Sequence, residues 1–87
     1  MNVPKFFGQI LSEKIGKKEI ACSGILRLAI KDGGKDPESI NVNELQTIFK
    51  TTLKTRLENI GVDNPNDIAK YMLSQLTKNH ALFVMSA

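Results

Sequence analysis

The sequence predicts a compact all-α domain of four helices, at about 4–15, 18–31, 42–60 and 65–82. Two observations carry this. Apolar residues return every three or four positions in each segment, the period of one helix face. The segments are also punctuated as helices are. Pro4, Asn41 and Asn64-Pro65 stand at starts, and Gly16, Gly33-Gly34 and Gly61 follow ends.

In the first segment Pro4 suits a helix's opening turn, where its missing N–H would have no partner. Phe6, Phe7, Ile10, Leu11 and Ile15 follow at helical spacing, and Gly16 stops them. The second segment is apolar nearly throughout, with Ile20, Ala21, Cys22, Ile25, Leu26, Leu28, Ala29 and Ile30. Its polar residues Glu19, Ser23, Arg27 and Lys31 recur every fourth position, which makes one narrow stripe. A strand over 25–31 is the competing pattern, because Leu26, Leu28 and Ile30 alternate with Arg27 and Ala29. Ala29 weakens the polar arm of that alternation. A helix apolar round most of its circumference belongs inside a domain, so the expectation is an interior rod with the other three packed on it.

Asp32-Gly33-Gly34-Lys35-Asp36-Pro37 breaks the chain. Asn41 and Glu44 then have capping-box spacing. Val42, Leu45, Ile48, Phe49, Leu53, Leu57 and Ile60 form an amphipathic stripe. Gly61 is placed as a left-handed cap, with Val62 as the apolar contact of a Schellman ending. Asn64 is the expected N-cap of the last helix, with Pro65 at its first position. Ile68, Met72, Leu73, Leu76, His80 and Phe83 continue it.

The 87 residues fit one domain whose core is thin for its size. The longest uncharged stretches fall far short of the ~18–20 apolar residues of a membrane span. No signal-peptide pattern opens the sequence, and Asn2 excludes N-myristoylation. Cys22 is the only cysteine, so no disulfide forms within the chain, and the expected location is the cytoplasm. Twelve Lys and Arg against nine Asp and Glu give a net charge of +3. That permits contact with anionic partners without a charge block that demands it.

No arrangement of catalytic or ligand residues stands out, and neither a cofactor nor a metal is expected. An EF-hand register ending at Glu44 would begin at Gly33 and place Lys35 and Pro37 where oxygen ligands are needed. A helix–loop–helix with a capping box explains the same residues. His80 and Cys22 are about 58 positions apart and make no zinc spacing. Cys22 lies among Ile20, Ala21, Ile25 and Leu26, which reads as a buried inert thiol. Asp32-Gly33-Gly34-Lys35 lacks the spacing of a phosphate loop. An enzyme would need Asp32, Lys35, Asp36 and Glu38 gathered with Arg27 in a deep pocket.

Two surfaces remain. Phe6 and Phe7 are adjacent, as are Phe83, Val84 and Met85, so each set leaves a residue off the centre of one helix face. These five are the expected partner-binding residues of a non-catalytic protein-interaction or regulatory module, its partner another protein or a second copy in a homodimer. The alternative is nucleic-acid binding through Lys50, Lys54 and Arg56. They lie on a Thr/Lys stripe with Thr47 and Thr51, closed by Glu58.

Overall fold

Local caps fix several of the helix ends. The computed structural model describes residues 2–81, in which helices α1 (Val3–Ile15), α2 (Glu19–Asp32), α3 (Val42–Lys50), α4 (Thr52–Asn59) and α5 (Pro65–Lys78) follow one another. They make an all-α bundle of four rods, the third broken into α3 and α4, and no strand occurs among the described residues. The principal extents are 35 × 25 × 21 Å.

Several expected caps are present. Asn41 Oδ1 accepts from the Glu44 N–H at 2.8 Å, and Glu44 Oε1 accepts from the Asn41 N–H at 3.1 Å, which completes the capping box. At the end of α4, Gly61 has φ +78°, its N–H donates to the Glu58 carbonyl, and the Val62 N–H donates to that of Leu57. That pair of bonds is a Schellman ending. The same device closes α2, where Gly34 has φ +75° and its N–H donates to Lys31 while Lys35 donates to Ile30. Asn64 does stand at the N-cap position of α5, but in the left-handed region (φ 55°, ψ 54°) and without the expected side-chain hydrogen bond.

The helix expected over 42–60 is two. Thr51 has φ −120° and ψ −85°, outside the helical region. Thr47, Thr51 and Thr55 each donate a hydroxyl hydrogen bond to the carbonyl four residues earlier, at 3.3, 2.7 and 3.2 Å. Such back-bonding competes with the backbone ladder and bends helices. Next to the break, Thr52 Oγ1 donates to the Ala29 carbonyl of α2 at 2.6 Å. The break therefore hands a hydroxyl to a neighbouring helix. The helix expected to reach residue 82 is interrupted after Lys78 at Asn79, residues 80–81 are helical again, and residue 82 lies outside the described residues. Asn79 donates to the Gln75 carbonyl from both its backbone N–H (3.0 Å) and its Nδ2 (2.7 Å), which closes the last turn.

Every rod supplies the core. Phe7 and Leu11 of α1 are fully buried, with Cys22, Ala29 and Ile30 of α2, Leu45 and Phe49 of α3, Leu53 and Leu57 of α4, and Met72 and Leu76 of α5. The Phe7 and Phe49 rings meet edge to face, with centroids 5.4 Å apart. Among the described residues no polar or charged side chain is buried. α1 packs along α2, α4 packs on α2 and α5, and α3 packs on α5.

The expectation of an interior rod at α2 is corrected. Cys22, Leu26, Ala29 and Ile30 face the core, but Ile20 is 82% exposed and Leu28 46%. The helix lies on the surface because α1, α3 and α4 cover one side of it and the described residues place no helix on the other. Its seat is set by glycine. A Cβ on Gly8 of α1 would fall 2.9 Å from the Ser23 backbone nitrogen and 3.0 Å from its Cα. Gly24, one position along α2, has nothing within 4 Å of the same point.

The two mid-helix glycines should therefore respond oppositely. Gly8→Ala is expected to lower stability by about 1–2 kcal/mol net, since overpacking against backbone exceeds the ~1 kcal/mol gained in helix propensity. Gly24→Ala should raise stability by about 0.5–1 kcal/mol. Urea midpoints at unchanged slope measure both, and equal shifts would refute the close approach of α1 and α2.

Candidate functional site

The structure redistributes the residues that the sequence suggested. Phe7 is 0% exposed and belongs to the core, which corrects its expected place on a partner surface. Phe6 is half-buried and sets its ring edge-on to Phe7, with centroids 5.0 Å apart. Adjacent residues on one helix diverge by about 100°, yet both rings find cover because Phe6 folds back over the core margin. Phe83, Val84 and Met85 lie outside the described residues.

The Thr/Lys stripe is placed on α3, α4 and the break between them. Arg56 does not face solvent freely: its Nε and Nη2 donate to Asp32 Oδ2 and Oδ1 at 2.7 and 3.1 Å, a two-point bond that ties α4 to the end of α2. Lys54 Nζ stands 4.0 Å from Glu58 Oε1, one turn along. Lys50 is exposed. Two of the three basic residues thus have carboxylates beside them, which lowers the positive field the stripe could offer a phosphate backbone.

The charged loop does not gather into one site. Asp32 is held by Arg56, Lys35 Nζ pairs with Glu44 Oε2 at 3.1 Å, and Asp36 Oδ1 accepts from the Glu38 N–H at 2.9 Å. Glu44, the residue tested as a calcium ligand, spends its carboxylate on the Asn41 N–H and on Lys35. Arg27 and Glu38 do line one cleft of about 260 Å³ with Asn2, Pro4 and Pro37. It contains no nucleophile. A second cleft, about 340 Å³, lies between the end of α1 and the α4–α5 turn, walled by Ile15, Ile60, Val62 and Ile68 and edged by Lys14, Lys17 and Asp63. Lys14 Nζ sits 4.4 Å over the centre of the Tyr71 ring. Among the described residues no three His, Cys, Asp or Glu side chains come together to hold a metal, and no helix is long and apolar enough to cross a membrane.

Cys22 is buried, and its Sγ stands 3.9 Å from the Lys17 carbonyl. Burial pushes its thiol up, against a smaller pull down from the Lys17 charge. The nucleophilic thiolate is thus disfavoured. His80 is exposed.

What remains is the outward side of α2, which sequence reasoning had assigned to the interior. Ile20, Gly24 and Leu28 form a row with four-residue spacing, so they lie along one face. Ala21 is exposed beside them. Lys17, Lys18, Arg27 and Lys31 are exposed around the row. The signal was present in the sequence as an excess of apolar residues on one segment. Nothing local said which side would be covered. No protein-family model, no curated protein and no solved structure matches this chain.

Two outcomes follow. The Asp32 carboxyl is held below its usual range mainly by the hydrogen bond from Arg56, and that of Glu44 mainly by the Asn41 N–H and then Lys35. Depressed folded-state values stabilise the protein above the ordinary carboxylate range near pH 4, and that contribution is lost as pH falls through the folded values. Melting temperature should be flat from about pH 7 to 5 and drop below about pH 4. An Asp32→Asn/Glu44→Gln variant should melt lower than wild type at neutral pH, with the gap closing as acid is added. A constant gap would refute the assignment. Cys22 should react with an aromatic disulfide reagent only as fast as the protein opens, so added urea accelerates the reaction steeply; prompt labelling of the native protein would contradict its burial.

Proposed function

We propose that this protein is a non-catalytic protein-interaction module that binds through the outward apolar face of α2. The observation that carries the reading is the 82% exposure of Ile20 in line with Leu28 at 46%. Scattered exposed apolar residues are ordinary, but two large ones on one helix row, rimmed by cations, have the form of an apolar anchor with a polar rim.

Support also comes from how the titratable groups are used. Perturbed groups cluster at catalytic sites. Here Asp32 and Glu44 owe their shifts to a bridge between helices and to a helix cap, both structural duties. Among the described residues, the two clefts bring together no nucleophile and base. The reading therefore assigns the chain no reaction, cofactor or metal.

The test separates binding from folding. Ile20→Ser with Leu28→Ser removes exposed apolar area, so stability should change by no more than about 0.5 kcal/mol. The same double variant should lose proteins that wild type retains in affinity purification from the native host. An unchanged set of retained proteins would overturn the reading. So would a melting loss of the size seen for core truncations, because it would show that the two side chains serve the fold.

A further inference from the structure

Two glycines interrupt helices away from any turn, and among the described residues only one has a packing reason. Gly8 lets α1 approach the Ser23 backbone. Gly24 sits mid-helix in α2 without a positive φ, and nothing lies within 4 Å of where its Cβ would stand. A helix-interior glycine costs about 0.5–1 kcal/mol relative to alanine. The cost falls between Ile20 and Leu28, which are about 12 Å apart along the helix axis at 1.5 Å per residue. The row is therefore two apolar posts with a hollow between them, and the hollow admits close backbone approach of whatever binds there.

The charges around the row select the occupant. From Lys17 to Asp32 the segment carries Lys17, Lys18, Arg27 and Lys31 against Glu19 and Asp32, and Asp32 is bound to Arg56. A second copy is disfavoured. Antiparallel two-fold pairing about Gly24 would set Ile20 on Leu28 but Lys17 on Lys31, twice over, and parallel pairing sets every cation beside itself. Nucleic acid would leave Ile20 and Leu28 unused. A lipid surface would leave the hollow at Gly24 unfilled. We infer, building on the reading of α2 as a protein-interaction face, that its partner is an acidic amphipathic helix of another protein. An apolar or small ridge of that helix would cross Gly24 between Ile20 and Leu28, and its carboxylates would meet Arg27 and Lys31 on one border and Lys17 and Lys18 at the end.

This is helix-in-groove recognition with charge complementarity at the rim. The rim contribution should fade with salt while the apolar part persists.

The test is selection from a displayed library of amphipathic helical peptides, with randomised ridge and border positions, on the full chain. The expected winners carry Asp and Glu on their borders. Gly24→Gln, which has open space and keeps the fold, should weaken them at least about tenfold by filling the hollow, and Arg27→Glu with Lys31→Glu should do the same. Melting curves of both variants report that the fold is intact. Winners with neutral or basic borders that still lose binding to Gly24→Gln would overturn the acidic partner and leave the interaction face standing. A wild-type chain that sediments as a dimer, dissociated by Gly24→Gln, would replace that partner with a second copy. Winners indifferent to positions 20, 24 and 28, or no winners, would overturn the partner and the interaction reading together.

Discussion

The approach of α1 to α2 at Gly8 and Ser23 governs the rest of the structure. The backbones are so close there that a methyl group on residue 8 would meet the Ser23 nitrogen at 2.9 Å. Contact at that point fixes the rotation of α2 about its own axis. Once Ser23 faces α1, helical geometry sends Leu26, Ala29 and Ile30 inward and sends Ile20 and Leu28 out. The Cys22 thiol goes inward too, where it loses hydration and reactivity. Rotation of α2 by about 100°, one residue's step, would expose a different set. The small residue on α1 thus decides what α2 shows to solvent.

The remaining helices lock that rotation. α4 meets α2 through Thr52, whose hydroxyl reaches the Ala29 carbonyl, and through Arg56, which grips Asp32 with two nitrogens. Both contacts come from beyond the break at Thr51. A straight rod over 42–60 would carry residues 52 and 56 along the axis of α3, and the break is what lets the two segments serve different neighbours. α3 packs on α5, whereas α4 packs on both α2 and α5. The Thr51-Thr52 pair supplies weak helix formers and competing hydroxyls at the place where the chain has to turn.

What was legible in the sequence was local. The capping box at Asn41 and Glu44, the Schellman ending at Gly61 with Val62, and the glycine stop after Asp32 depend on residues within one turn of each other, and all were placed from residue type and spacing. The break at Thr51 was not, because apolar periodicity runs through it: Ile48, Phe49, Leu53 and Leu57 stay in register and all are buried. Periodicity reports which residues face the core and says little about whether the backbone between them is continuous. Phe7 was expected on a partner surface for a related reason, and it is buried. Adjacent aromatics at 6 and 7 looked hard to bury together, but an edge-on ring pair covers both. The apolar circumference of α2 looked like an interior helix. Enclosing a 14-residue rod takes neighbours all round it, and the described helices supply cover on one side alone.

That one-sided cover gives the outer face of α2 its meaning. Exposed Ile and Leu favour association in general and select for nothing. Positive charge on the flanks favours anions in general. A half-buried mid-helix glycine weakens its own helix, and among the described residues nothing packs against its Cβ position. Each of these alone has a bland explanation: chance, solubility or drift. Together they share one row of about two turns, and they are complementary in kind: the posts supply burial, the hollow supplies close approach, and the rim supplies sign. The same close-approach device already operates a few ångströms away, where Gly8 receives Ser23. On its inner side α2 is received by the glycine of α1, and on its outer side it carries a glycine of its own, so the proposed partner would use on one side of α2 the kind of close approach that Gly8 provides on the other.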